Sequence, residues 1–423
     1  MSRRLLLLLS LTSALGVGNL YFPQAIVPLV AAGLGTPADR ATLVVTAVQI
    51  GYTAGIFLLV PLGDRLPNRP LLVTLLTLSA VGLLAAGCAP NLPALVAASV
   101  FIGATTVAAQ IISPMAAGLV PADRRGAVLG TLLSGSIGGM LLARTFGGTL
   151  GERLGWRAPY LVAGVLVLTL AAVLSRALPG GAAAPPATRQ SYPSLLAEPL
   201  RLLRAEPELR RSALYQATVF GGFSAVWTCL PLLLAEPAYG LGAEEVGMLA
   251  LVGAATMVCT PLAGRLVDRR GSDPVNLVCL LGTLGAAGVL AAGGGGGTRG
   301  LAVLALGTLL LDVAMQSGMI ANKTRVYELR PDARSRLNTA YMSGGYLGGS
   351  VGSWLGVRAY GRAGWPAVCA LVALLAALAL ARHLTAHRRR RRPIAPAEGT
   401  LIPAPDRDRE ATPAADRGRR ARQ

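Results

Sequence analysis

Lysine is almost missing from this chain: Lys323 is the only one, and histidine occurs only at His383 and His387. Charged residues of all kinds make up 14 % of the sequence, against about 25 % in soluble domains. A soluble fold of 423 residues would need far more polar surface. Two histidines flanking a basic tail cannot supply a zinc site or a buried Ser-His-Asp triad. No G-x-x-x-x-G-K-[ST] loop exists, since Lys323 follows Asn322, which excludes an intrinsic ATP-driven pump. The five glycines Gly293 to Gly297 have no lysine after them and make no phosphate cradle. Alternating strand patterns are missing too, which excludes a β-barrel. Five cysteines lie in or at the ends of apolar runs, without metal or redox spacing, and read as small buried side chains. No enzyme, metal or cofactor is expected.

What the chain does have is apolar sequence, 53 % of it, in blocks of about twenty residues, the length that crosses a bilayer as helix. Spans are expected near 5–32, 41–62, 70–89, 92–118, 126–150, 157–176, 212–235, 243–264, 274–292, 300–321, 337–359 and 365–383. Arg3-Arg4 before a leucine run imitates a signal peptide, but the apolar stretch continues to Val30 and reads as an uncleaved first helix. The fold class is therefore an all-α integral membrane protein with twelve transmembrane helices.

The net charge of +19 is almost entirely arginine and sits between spans and in the tail. That placement suits a topology signal rather than a base-reading surface, so no nucleic-acid partner is expected. With the N-terminus inside, the inner connections carry 20 Arg and Lys residues, the outer ones 6, before the tail is counted. Both termini are expected in the cytoplasm, in a bacterial inner membrane. Residues 1–176 and 212–383 form the two bundles, 177–211 a cytoplasmic linker, and 384–423 a basic disordered tail drawn to anionic lipid.

The two halves repeat. Gly135, Gly139, Ala143 and Gly147 are spaced by four, as are Gly344, Gly348, Gly352 and Gly356, at a constant offset of 209. Gly155-Trp156 matches Gly364-Trp365 at the same offset. Small residues four apart share a helix face and let a neighbour approach closely. Duplicated halves point to two pseudo-symmetric six-helix bundles and alternating access, with the substrate between them.

Val60-Pro61-Leu62-Gly63-Asp64-Arg65-Leu66-Pro67-Asn68-Arg69 follows span two, and Gly264-Arg265-Leu266-Val267-Asp268-Arg269-Arg270-Gly271 follows span eight. Both resemble the G-x-L-x-D-R-x-G-R-[RK] loop signature of the major facilitator superfamily. The resemblance implies that Asp64 and Arg65, with Asp268 and Arg269 in the second half, gate the cytoplasmic side. Asn19-Leu20-Tyr21-Phe22-Pro23-Gln24, Gln49-Ile50-Gly51-Tyr52, Leu142-Ala143-Arg144-Thr145 and Arg334-Ser335-Arg336-Leu337-Asn338-Thr339 resemble the drug:proton antiporter-like branch, in particular purine ribonucleoside efflux pump-like proteins. The chain departs from that branch at Ser99, where an arginine is usual, and at Ala143-Arg144, where Gly-Pro is usual.

Charges inside hydrocarbon are expensive and therefore functional candidates. Asp312 is the carboxylate deep in a span and Arg144 the internal cation, so the pair is assigned to proton coupling. Asn19, Gln24, Gln49, Tyr52, Gln110, Gln216, Trp227, Gln316 and Tyr341 are candidates for the cavity. Amides and aromatics with few charges suit a neutral or mildly polar organic molecule. The reading is a monomeric, proton-coupled exporter of a drug-like or nucleoside-like molecule. An importer or facilitator of the same fold, or a membrane sensor or scaffold without transport, are the alternatives.

Overall fold

A computed structural model describes residues 2–121, 124–178, 191–330 and 333–391; of Asp64 it describes the backbone only. Among the described residues the secondary structure is helical throughout. Residues Met1–His383 form one compact unit.

Ten helical segments are long and apolar enough to cross a membrane, the last running Arg334–Ala386. That segment is two helices, because Ala363 and Gly364 leave helical geometry and Gly364 takes a φ of +64°. Span eight is broken into Ala243–Val252, a 3-10 turn at Gly253–Ala255, and Thr256–Arg270. With both counted, the twelve expected spans are present.

Other spans are interrupted where polar residues are needed. Span one runs Arg3–Gly18 and resumes at Phe22–Ala25. Pro23 and Pro28 cannot donate to the preceding turn, so the helix re-forms in short pieces. Span four breaks after Thr105 and resumes at Ala108–Gly118. The two interruptions face each other: Thr106 donates to the Gly16 carbonyl at 2.9 Å and accepts from Asn19 Nδ2 at 3.4 Å. Freed backbone groups in a bilayer must find partners within the protein, and here one break serves the other.

The glycine rows pack as helix-to-helix seams. A Cβ at Gly135, Gly139 or Gly147 would collide with Ser10, Ala14 or Phe22 of span one. In the second half, Gly344, Gly348, Gly352 and Gly356 lie against Ala213, Ala217, Gly221 and Ala225 of span seven. The partners repeat as well: Ser10, Ala14, Gly18 and Phe22 precede Ala213, Ala217, Gly221 and Ala225 by 203 in each case. The duplication therefore extends from the sequence to the contact register.

Four sequence readings change. The second loop motif is not a loop: Gly264 to Arg270 form the end of a helix, which stops where Gly271 adopts φ +81°. Span twelve stays helical through Arg391, so 384–391 belong to a helix; 392–423, and with them the lipid-binding expectation, lie outside the described residues. His383 is buried, with its ring 5.7 Å from that of Tyr215, rather than flanking a solvated tail. Cys88 is exposed, while Cys229, Cys279 and Cys369 are buried as expected.

Buried cations also prove more numerous than Arg144 alone. Arg211 and Arg325 are both buried and share Asp273, with Glu208 3.2 Å from Arg211. This cluster ties spans seven, nine and ten together near the chain-terminal end. It neutralises two desolvated guanidiniums, which would otherwise cost several kcal/mol each. The linker contributes the helix Tyr192–Ala205, whose Glu198 pairs with Arg336 of span eleven.

Candidate functional site

A cavity lies between the halves, with about 850 Å³ of atom-free space when the solvent at its open mouth is counted in. Spans one, two, four and five line it on one side and spans seven, ten and eleven on the other. Most of its wall comes from the helix portions nearer the chain termini, as with Ser136, Gln216 and Met319.

The opposite end is shut by spans five and eight. Gly148 would touch the Ala243 backbone with any Cβ, and Gly247 would touch Thr145 and Arg144. Thr145 Oγ1 donates to the Gly247 carbonyl at 2.8 Å, and the Ala243 amide donates to Glu152 at 2.9 Å. Arg153 pairs with Glu244 at 2.9 Å.

The cavity wall is amphipathic. Tyr52, Phe220 and Tyr346 form an aromatic group, with Tyr346 centred 4.5 Å from Tyr52 and 5.0 Å from Phe220. Met140, Met315, Met319 and Met342 give a deformable apolar surface. Gln110 donates to the Tyr52 hydroxyl at 3.1 Å and accepts from Asn338 at 3.4 Å, so spans two, four and eleven meet there.

One helical turn past Met140 and Met315 stand Arg144 and Asp312, both buried. The indole of Trp227 joins them. The Arg144 guanidinium lies over its face, 4.0 Å from the ring centre, while Nε1–H donates to Asp312 Oδ1 at 3.2 Å. Arg144 Nε donates to Gln24 Oε1 at 2.8 Å. A cation over an indole is worth about 2 kcal/mol or more when desolvated. Arg144 Nη1 and Nη2, Asp312 Oδ2 and Gln24 Nε2 find no hydrogen-bond partner among the described residues. Three donors and an acceptor therefore converge unsatisfied beside a buried charge of each sign, and a proton, water or polar substrate group would satisfy them. Tyr21 separates this set from the cavity: its ring lies 5.0 Å from the guanidinium, and its hydroxyl is 3.5 Å from that of Tyr346.

The expected site residues divide accordingly. Tyr52, Gln110, Gln216 and Gln316 line the cavity. Gln316 donates to the Met140 sulfur at 3.6 Å and Gln216 accepts from Tyr341 at 2.7 Å. Asn19, Gln24, Gln49, Trp227 and Tyr341 do not line it; their side chains are taken up between helices, as where Gln49 donates to Ser224 at 3.4 Å. Asp268 and Arg269 are exposed on the last turn before Gly271, and Arg65 is exposed after the 3-10 turn Val60–Asp64. The Asp64 side chain lies outside the described residues.

Reading the sequence missed Tyr21, Tyr346 and Phe220, and placed Lys323 in a connection. The helix of span ten in fact continues to Leu329, and Lys323 lines the cavity. Met140 is likewise a wall residue.

The model of the Major Facilitator Superfamily matches residues 6–322. The transporter YgaY of Escherichia coli O157:H7 is 35 % identical over 384 residues, covering 89 % of this chain and 94 % of YgaY. A chloramphenicol resistance protein of Streptomyces lividans is 32 % identical over 262 residues, 61 % of this chain and 64 % of that protein. Among solved structures, the nucleoside transporter NupG superposes with a TM-score of 0.72 at 13 % identity, covering 91 % of this chain and 99 % of NupG. At that identity the likeness speaks for the fold alone.

Proposed function

The chain belongs to the Major Facilitator Superfamily and is a multi-pass membrane transporter, not an enzyme; from that premise we propose that it expels a small organic molecule in exchange for protons. The observation that carries the reading is the site's two-part build. A cavity between the halves, lined mostly by helix portions nearer the chain termini, sits one turn from a buried carboxylate and guanidinium that share an indole. Alternating access needs a substrate site between halves and a titratable group whose surroundings change as the halves rock. Asp312 and Arg144 are placed to do this, since spans five, seven and ten come from both halves. Export is supported by the relative's description as a chloramphenicol resistance protein. The branch resemblance read from the sequence favours the same direction.

Chloramphenicol is therefore the first probe. Proteoliposomes carrying the full chain are expected to accumulate it when the lumen is acid and to lose it when the medium is acid. The sign does not depend on which way the protein inserts, because exchange moves substrate against the proton in either orientation. Accumulation driven by an acid medium instead would establish proton symport and favour the importer.

We place both termini in the cytoplasm, on the arginine asymmetry. Reporter fusions at Gly180 and after Arg392 are both expected to read as cytoplasmic, and an external signal from either would reverse the orientation. Asp64 and Arg65 belong to the same proposal as a gate at that side, acting with Asp268 and Arg269.

A further inference from the structure

Lys323 is the one formal charge on the cavity wall. The wall holds phenols, amides and hydroxyls from Tyr52, Gln110, Ser113, Ser136, Gln216 and Gln316, but no carboxylate. Among the described residues, Lys323 makes no ion pair or hydrogen bond. It lies seven residues from Gln316 on the same helix, about 10 Å along the axis, so one molecule can touch both. Arg144 cannot balance it, being of the same sign, and Asp312 lies beyond Tyr21 with Trp227 already bonded to it. An ammonium drawn part-way out of water gains most from a ligand that brings its own negative charge. The rest of the wall, methionine and aromatic, asks for an apolar body.

We propose that the cavity favours an organic anion over a neutral molecule of the same shape: an aromatic or apolar body held between the methionines and the Tyr52–Phe220–Tyr346 group, with its acidic group on Lys323. The proposal rests on the transporter reading and sharpens it, since the amides and aromatics by themselves suit a neutral molecule.

The test uses 2-naphthoate and 2-naphthamide, which share shape and differ in charge, titrated into the purified full chain at neutral pH. The parent protein is expected to bind the carboxylate about tenfold or more tighter than the amide. Lys323→Gln is expected to bring the two within about twofold, while Lys323→Arg keeps the preference. Size-exclusion profiles matching the parent establish that the variants are folded, and Lys323→Arg supplies the comparison if Lys323→Gln is not. Equal binding of the two probes, no binding of either, or a preference that survives Lys323→Gln overturns the proposal. Failure here is separable from failure of the transporter reading. Chloramphenicol driven by a pH gradient with no naphthoate preference leaves transport standing and removes the anion site. A Lys323-dependent naphthoate preference without gradient-driven movement of either compound does the reverse.

Discussion

Asp312→Asn protein in proteoliposomes will bind and exchange chloramphenicol but will not accumulate it when the lumen is acid. Asparagine keeps the shape of the side chain and can still accept from Trp227 Nε1–H, so the indole stays over its partners. What it loses is the ability to take up and release a proton. A carboxylate inside a protein binds protons more tightly when water leaves and less tightly when a cation approaches. Arg144 and Trp227 come from different halves, so rocking changes the distance between the guanidinium and the carboxyl. That supplies the difference in proton affinity between states that coupling requires. Accumulation is expected to fall to the level of empty liposomes, with counterflow retained at a sizeable fraction of the parent's. The pH dependence of chloramphenicol binding should flatten in the same variant. Gradient-driven accumulation equal to the parent's would remove Asp312 from the coupling step.

The second large effect is structural. Gly139→Leu, or its counterpart Gly348→Leu, is expected to abolish folded protein or lower its melting temperature sharply. At Gly139 the obstacle is the Ala14 backbone, and at Gly348 the Ala217 backbone, neither of which can rotate away. Overpacking in a core that can adjust costs about 1–3 kcal/mol; here two helices must separate along a whole seam. Gly138→Leu is the control, since a Cβ there meets nothing within 4 Å on the same helix. Its stability should stay within about 0.5 kcal/mol of the parent. Equal losses at Gly138 and Gly139 would show that leucine harms the helix itself and not the seam.

The glycine seams were legible in the sequence because a missing side chain leaves a periodic trace, and two traces in step are hard to produce by chance. The helix breaks were harder to see. Asn19 and Thr106 both stand in apolar runs, and nothing in either run shows that the two interruptions face each other. The cavity wall was half legible for a related reason. An amide in an apolar span stands out, so Gln110, Gln216 and Gln316 were found, whereas Met315 or Phe220 looks like any packing residue. Tyr346 did leave a signal: it is an aromatic set among glycines, between Gly344-Gly345 and Gly348-Gly349. Lys323 was misplaced because the apolar run ends near Ala321. Helices end at breakers rather than at the edge of hydrophobicity, and the next proline is Pro331. His383 was misjudged in the same way, since it stands between Arg382 and the arginine run that starts at Arg388 while its neighbour in space is the Tyr215 ring.

Where spans five and eight cross, Gly148 and Gly247 put backbone against backbone. At that crossing the contact works as a plain bearing: the two glycines carry no side-chain teeth to lift before one helix turns on the other. Beside it stand polar catches, the Thr145, Glu152 and Arg153 contacts. Each is worth about 1 kcal/mol net once water can replace it. Together these catches contribute a few kcal/mol, which the binding energy of one cargo molecule can offset.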